Sequence, residues 1–245
     1  MITSGIDEAG RGPVIGPMVM ACCCFDENGI AKLKELNVKD SKQITPKRRE
    51  FLEEKIKEIA LKYIIKKISP VEIDETRKKI SLNDIEAKEI SEMLSELDKT
   101  MTNMPSVIYV DSPENIQENF TKKILKFYLA NTRKFSKSFD FENSLTKISV
   151  NIISEHFADS KYIEVSAASI LAKVERDREI ENLKKIYGDF GSGYPSDPKT
   201  VTFLKNNESQ IPREIIRKSW NVRFKEENNK DKKEKKEYKQ AKLIF

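Results

Sequence analysis

Gly5-Ile6-Asp7-Glu8-Ala9-Gly10-Arg11-Gly12-Pro13 places two adjacent acids at the end of an apolar run and follows them at once with glycines and a proline. With Gly16 and Pro17 completing the break and apolar residues resuming up to Phe25, the stretch reads as a strand, a tight turn and a returning strand. Further along, Thr45-Pro46 has the chemistry of a helix cap followed by proline in the first turn, and Phe51, Leu52, Ile56, Ile59, Ala60 and Tyr63 follow at helical spacing. A strand is expected from Tyr63 to Ile68. Ser81 with Asp84 three residues on resembles a capping box that opens a second helix carrying Leu82, Ile85, Ile90, Met93, Leu94 and Leu97.

Val107-Ile108-Tyr109-Val110 is a short apolar strand that runs straight into Asp111-Ser112-Pro113, the kind of strand end where α/β folds place ligand chemistry. A third helix is expected from about Ile116 to Ala130, and a strand from Ile148 to Ile153. Val165 to Val174 is rich in Ser and Ala, which predicts a helix able to lie very close to a sheet. Strands alternating with helices argue for an α/β fold, and the opening hairpin makes its sheet mixed. A loop from Gly188 to Pro198 separates a small helical C-terminal part, so the expected units are 1–187, 188–224 and a charged tail over 225–245.

At 245 residues the chain can form one sizeable domain with a small appendage. Its 45 Lys and Arg against 40 Asp and Glu leave a net charge of +5. Eight Lys against five acids in residues 225–245 put +3 of that in the tail, so any nucleic-acid surface on the globular part must be a local patch. Cys22, Cys23 and Cys24 are consecutive inside an apolar run, with neither zinc-ligand spacing nor workable disulfide geometry. Buried strand residues in a reducing, cytoplasmic setting are expected. No charged-then-apolar leader and no long apolar stretch is visible, so neither secretion nor a membrane partner is expected.

A single histidine, His156, excludes paired-imidazole acid and base chemistry, and neither a G-x-S-x-G elbow nor a P-loop is present. Gly10-Arg11-Gly12 lacks the third glycine at dinucleotide spacing. Carboxylate chemistry remains. Asp7-Glu8 at a strand end persists either because it is solvated or because a cation neutralises it. Asp111 alone reads equally as a turn cap, and Asp159 alone says almost nothing.

In combination these segments carry more. Gly5 to Pro13 closely resembles the opening motif of the ribonuclease HII family, and further matches follow in that family's order. Asp40-Ser41-Lys42 with Thr45-Pro46 resembles its phosphate-contacting loop, and Tyr109-Val110-Asp111 the strand bearing its third acid. Ala158-Asp159 ahead of Val165-Ser166-Ala167-Ala168-Ser169-Ile170-Leu171-Ala172-Lys173-Val174-Glu175-Arg176-Asp177 is similar to the segment bearing the fourth. Gly191 to Pro198 resembles its substrate-facing loop, particularly in the archaeal branch, and the likeness spans residues 5 to about 222.

That resemblance implies a ribonuclease-H-like mixed sheet flanked by helices, with Asp7, Glu8, Asp111 and Asp159 as catalytic metal ligands for two Mg²⁺ or Mn²⁺ ions. Hard oxygen donors suit these ions, and a pair about 4 Å apart can activate a water and stabilise a leaving oxygen. The implied activity is hydrolysis of the RNA strand of RNA–DNA hybrids and cutting 5′ of single ribonucleotides in duplex DNA, leaving 3′-hydroxyl and 5′-phosphate ends. Backbone groups of Gly10, Arg11 and Gly12 are expected to read the ribose 2′-hydroxyl. Tyr194 is expected to stack on the next sugar, its alternative being a loop anchor on Pro195. Arg11, Lys42 and Lys173 are candidate phosphate contacts. His156 is either a proton or metal-exchange group or a structural one. Trp220 is expected to pack the C-terminal lobe on the main domain. Arg213, Arg217, Lys218 and Arg223 read either as duplex contacts or as a charged helix face. Gln240 to Phe245 resembles a degenerate sliding-clamp-binding peptide, and the family implies a monomer. Ribonuclease HIII, which adds an N-terminal domain, and a non-catalytic hybrid-binding module are the competing readings.

Overall fold

The computed structural model describes residues 1–39, 44–133, 151–207 and 211–220. The opening hairpin is present as β1 (Thr3–Ala9) and β2 (Met18–Phe25), paired antiparallel with Thr3 opposite Phe25 and Ala9 opposite Val19. Residues 10–17 make a longer excursion than the tight turn expected. Val14 and Ile15 are drawn into a separate apolar cluster with Ile180, Phe190, Leu204 and Ile215, and Ile15 bridges to Ile216. β3 (Lys62–Ile68) pairs antiparallel with β2, while β4 (Val107–Asp111) and β5 (Asn151–Glu155) continue the sheet parallel to β1. The order is β3-β2-β1-β4-β5, a mixed sheet as expected.

The side-chain period of two sorts the strands onto two faces. Ile6, Met20, Cys22 and Cys24 turn to one face, covered by α4 (Leu82–Thr100) and α5 (Gln117–Arg133). Val19, Ala21, Cys23 and Phe25 turn to the other, covered by α7 (Ile163–Tyr187) together with α1 (Glu27–Glu35) and α2 (Pro46–Ile59). All three cysteines are free and buried. The remaining helices are α3 (Pro70–Arg77), the single turn α6 (Ala158–Lys161) and α8 (Pro198–Asn206).

Local signals account for the starts. Thr45 accepts from Arg48 N to cap α2, and Ser81 and Asp84 make both bonds of a capping box on α4. The small residues of α7 let it lie directly on β1: a Cβ added at Gly5 would stand 2.1 Å from the Glu164 carbonyl carbon and 2.3 Å from Val165 N. Only glycine permits that approach. It brings α7 alongside the strand that carries the first two acids. No helix among the described residues is long and apolar enough to cross a membrane.

Candidate active site

The parallel register of β1 and β4, Ile6 beside Val110, brings both strands to the same end of the sheet, where Asp7, Glu8 and Asp111 follow. Asp111 Oδ1 accepts the Ala158 N–H at 2.8 Å, which ties the end of β4 to the first turn of α6 and brings Asp159 next to it in the chain. His156 reaches from the end of β5 to the Ser112 carbonyl at 3.0 Å, a bond that fastens the same corner. Between them Phe157 takes a left-handed backbone with φ 56°. Asp7 and Asp159 are buried. The four acids line one open cavity of about 460 Å³, shared with Gly10, Arg11, Gly12, Lys173 and Tyr194. Lys42 lies outside the described residues.

The donor set repels itself. Burial, then the charges of Glu8 and Asp111, push the Asp7 carboxyl well above its ordinary range, with Ser169 pulling the other way through a hydrogen bond. Burial also raises Glu8 to about 8, reinforced by Glu86 and Asp111 and opposed by Arg11. A cluster of buried oxygens whose charges disfavour one another is the setting that a divalent cation relieves. The acids line the cavity without being drawn around one point: among the described residues no group of three or more His, Cys, Asp or Glu is set to hold a metal ion. The chemistry of the donors fits hard cations such as Mg²⁺ or Mn²⁺.

The loop over residues 10–12 is held by its carbonyls. Arg217, fully buried, donates to the carbonyls of Gly10 at 2.6 Å, Arg11 at 2.9 Å and Gly16 at 3.0 Å, and Trp220 Nε1 donates to that of Gly12 at 3.1 Å. Backbone bonds outside the helices and strands of the described residues include none donated by Gly10, Arg11 or Gly12. The Arg11 side chain is engaged by α4: its Nε donates to Glu86 Oε1 at 2.6 Å and its Nη2 to Asn83. Lys173 donates to Ser169 Oγ at 3.3 Å. Tyr194, 40% exposed, faces Gly12, and its loop accepts the Val14 and Ile15 N–H groups at the Gly193 carbonyl.

The sequence assigned neither Arg176 nor Glu86 a role at this site, and it left Arg217 as a duplex contact or part of a charged helix face. Arg217 is not on a charged helix face; it lies under the glycine loop, and Trp220 lies beside it with the Arg217 guanidinium 4.9 Å from its ring. Arg176 lines the cavity, is buried, packs against Gly10 and sits 5.7 Å from the Tyr194 ring centroid. Glu86, on the buried face of α4, faces the loop; burial raises it to about 7 although Arg11 pulls it down. The signal for Arg176 was its place in the motif that follows Asp159. Glu86 had none beyond an acid at a core position of an amphipathic helix.

Known proteins resemble this chain in both sequence and fold. A family model described as ribonuclease HII matches residues 4–223. Ribonuclease HII of Thermococcus onnurineus is 44% identical over 223 residues, covering 90% of this chain and 87% of that protein. The crystal structure of ribonuclease H2 from Pyrococcus horikoshii superposes with a TM-score of 0.75 at 41% identity, covering 91% of this chain and 95% of that one. The ribonuclease HII in a PCNA complex from Archaeoglobus fulgidus superposes with a TM-score of 0.74 at 38% identity, covering 94% and 100%.

Proposed function

The chain belongs to the ribonuclease HII family, metal-dependent nucleases of RNA–DNA hybrids, and from that premise we propose that it also cuts 5′ of single ribonucleotides embedded in duplex DNA by a two-metal-ion reaction. The observation that carries this reading is the convergence of Asp7, Glu8, Asp111 and Asp159, remote in sequence, on one cavity beside the Gly10–Gly12 loop. These four carboxylates would hold Mg²⁺ or Mn²⁺. When bound, such ions supply a water activated at neutral pH and charge stabilisation at the leaving oxygen.

The chain's own residues do the rest. With their carbonyls bound by Arg217 and Trp220, Gly10, Arg11 and Gly12 keep N–H groups for the ribose 2′-hydroxyl, the atom that separates RNA from DNA. Tyr194, whose ring faces Gly12, would pack on the neighbouring sugar. Lys173 and, outside the described residues, Lys42 supply positive charge for the phosphates. Arg11 contributes through its backbone, its guanidinium being engaged by Glu86 and Asn83. Residues 1–187 form the catalytic part and 188–224 the substrate-facing part.

A duplex with one ribonucleotide, incubated with Mg²⁺ or Mn²⁺, tests the reading. Incision 5′ of the ribonucleotide leaving 3′-hydroxyl and 5′-phosphate ends supports it; binding without incision favours a hybrid-binding module. The protein works as a cytoplasmic monomer in this reading. The terminal Gln240 to Phe245, outside the described residues, is a candidate sliding-clamp peptide, a partner suggested by the Archaeoglobus complex. Deleting those six residues should abolish clamp affinity, and unchanged affinity refutes the assignment.

A further inference from the structure

Arg11 carries the one side chain in the Gly10-Arg11-Gly12 loop, and that side chain is committed to α4. Its Nε meets Glu86 Oε1 at 2.6 Å, where Glu86 is 2% exposed, and its Nη2 donates to Asn83 Oδ1. Asn83 passes the connection on, donating to Glu114 Oε1 at 3.2 Å. Lys123 bridges Glu114 to Asp84, in the first turn of the same helix, at 2.9 Å from the Asp84 carboxylate. Glu114 N in turn meets Ser112 Oγ at 3.4 Å, directly after Asp111. A polar strut therefore runs from the glycine loop through the start of α4 to the segment behind the third acid.

Glycine backbone is soft, and Gly10 adopts φ +81°, so this loop has little rigidity of its own. Arg217 and Trp220 fix its carbonyls from the C-terminal side, while α4 holds its flank. We infer that Asn83 and Glu86 are positioning residues for ribose recognition: by gripping Arg11 they set the loop's distance from the Asp111 corner. The inference rests on the reading of the loop as the 2′-hydroxyl sensor. A misplacement of about 1 Å at a reacting centre costs on the order of a hundredfold, so a strut of this kind bears on selectivity as well as on stability.

The test compares two duplexes, one with a single ribonucleotide and its all-deoxy twin, by fluorescence anisotropy in Ca²⁺. Asn83→Ala, at a partly exposed position, and Glu86→Leu, which removes the acceptor of Arg11 Nε, should each lower the ribo-to-deoxy affinity ratio by about fivefold, the loss of one ordinary hydrogen bond. Arg11→Met should reproduce the drop, and adding Glu86→Leu to it should lower the ratio no further, because both act through one contact. Thermal unfolding separates a folding defect from a selectivity defect. A ratio unchanged in Asn83→Ala and Glu86→Leu, or drops that add in the double variant, overturns the inference. The unmutated protein serves as the reference: if it shows no ribose preference, the sensor reading fails with it, whereas a preference kept intact in the variants sinks the strut alone.

Discussion

Arg217 and Gly10 stand 207 residues apart in the chain and 2.6 Å apart in the fold, the guanidinium Nη2–H donating to the glycine carbonyl. Arg217 is fully buried and spends its other donors on the carbonyls of Arg11 and Gly16. A planar fork with five donors spread over three nitrogens can serve three separated carbonyls at once, whereas the three donors of a lysine ammonium all sit on one nitrogen.

Arg217→Met should therefore leave three carbonyls short of a donor and cost about 2–4 kcal/mol of stability. Arg217→Lys should recover only part of that. Urea denaturation of both variants checks the order, and cleavage of a single-ribonucleotide duplex should fall in the same order.

Asp7→Asn and Asp111→Asn should lower turnover by at least about a thousandfold while leaving duplex affinity nearly intact, because their charge is needed by the bound ions and the reaction. Without added metal, Asp7→Asn should raise the melting temperature, since burial and the neighbouring acids disfavour the native carboxylate. Single-turnover rates and metal-free melting curves test the two halves. Near-normal rates would remove that residue from the metal site.

Gly5→Ala should be severe although the residue touches no substrate. The added carbon would stand 2.1 Å from the Glu164 backbone, so β1 and α7 must separate, costing about 3 kcal/mol. Equilibrium unfolding reads this directly.

The buried Glu53 on α2 accepts from Arg178 on α7, Nη1 to Oε1 at 2.9 Å, and from Lys57 at 2.7 Å. Burial raises its carboxyl, but these donors outweigh burial and hold it below the ordinary range. A carboxyl lowered in the folded state stabilises above its unfolded value of about 4.3, and that stabilisation is lost as pH falls through the lower folded value. The stability gap between the parent and Glu53→Gln should thus be largest near neutral pH and close in acid, as measured by unfolding across pH.

Much of this was legible in the chain. Short apolar runs marked β2, β3 and β4, and the Ser81–Asp84 pair marked the start of α4 because capping is a local event. The short helices α1 and α3 were not marked, since each offers few apolar positions; α6 is a single turn. β5 runs from Asn151 to Glu155 where a strand over 148–153 was expected, and residues 148–150 lie outside the described part. The acids were recognisable from motif order, but the partners of the glycine loop were not. Trp220 was expected to pack the C-terminal lobe on the main domain and does, but Arg217, Asn83 and Glu86 reach the loop through tertiary contacts that leave no periodic trace.

Four carboxylates that jointly hold divalent cations are what the proposed reaction requires. Crystals soaked in Mn²⁺ and measured for anomalous scattering test this most directly. Manganese peaks ringed by Asp7, Glu8, Asp111 and Asp159 are expected; Asp159 turned away, with no peak among the four, would rule out the shared metal site.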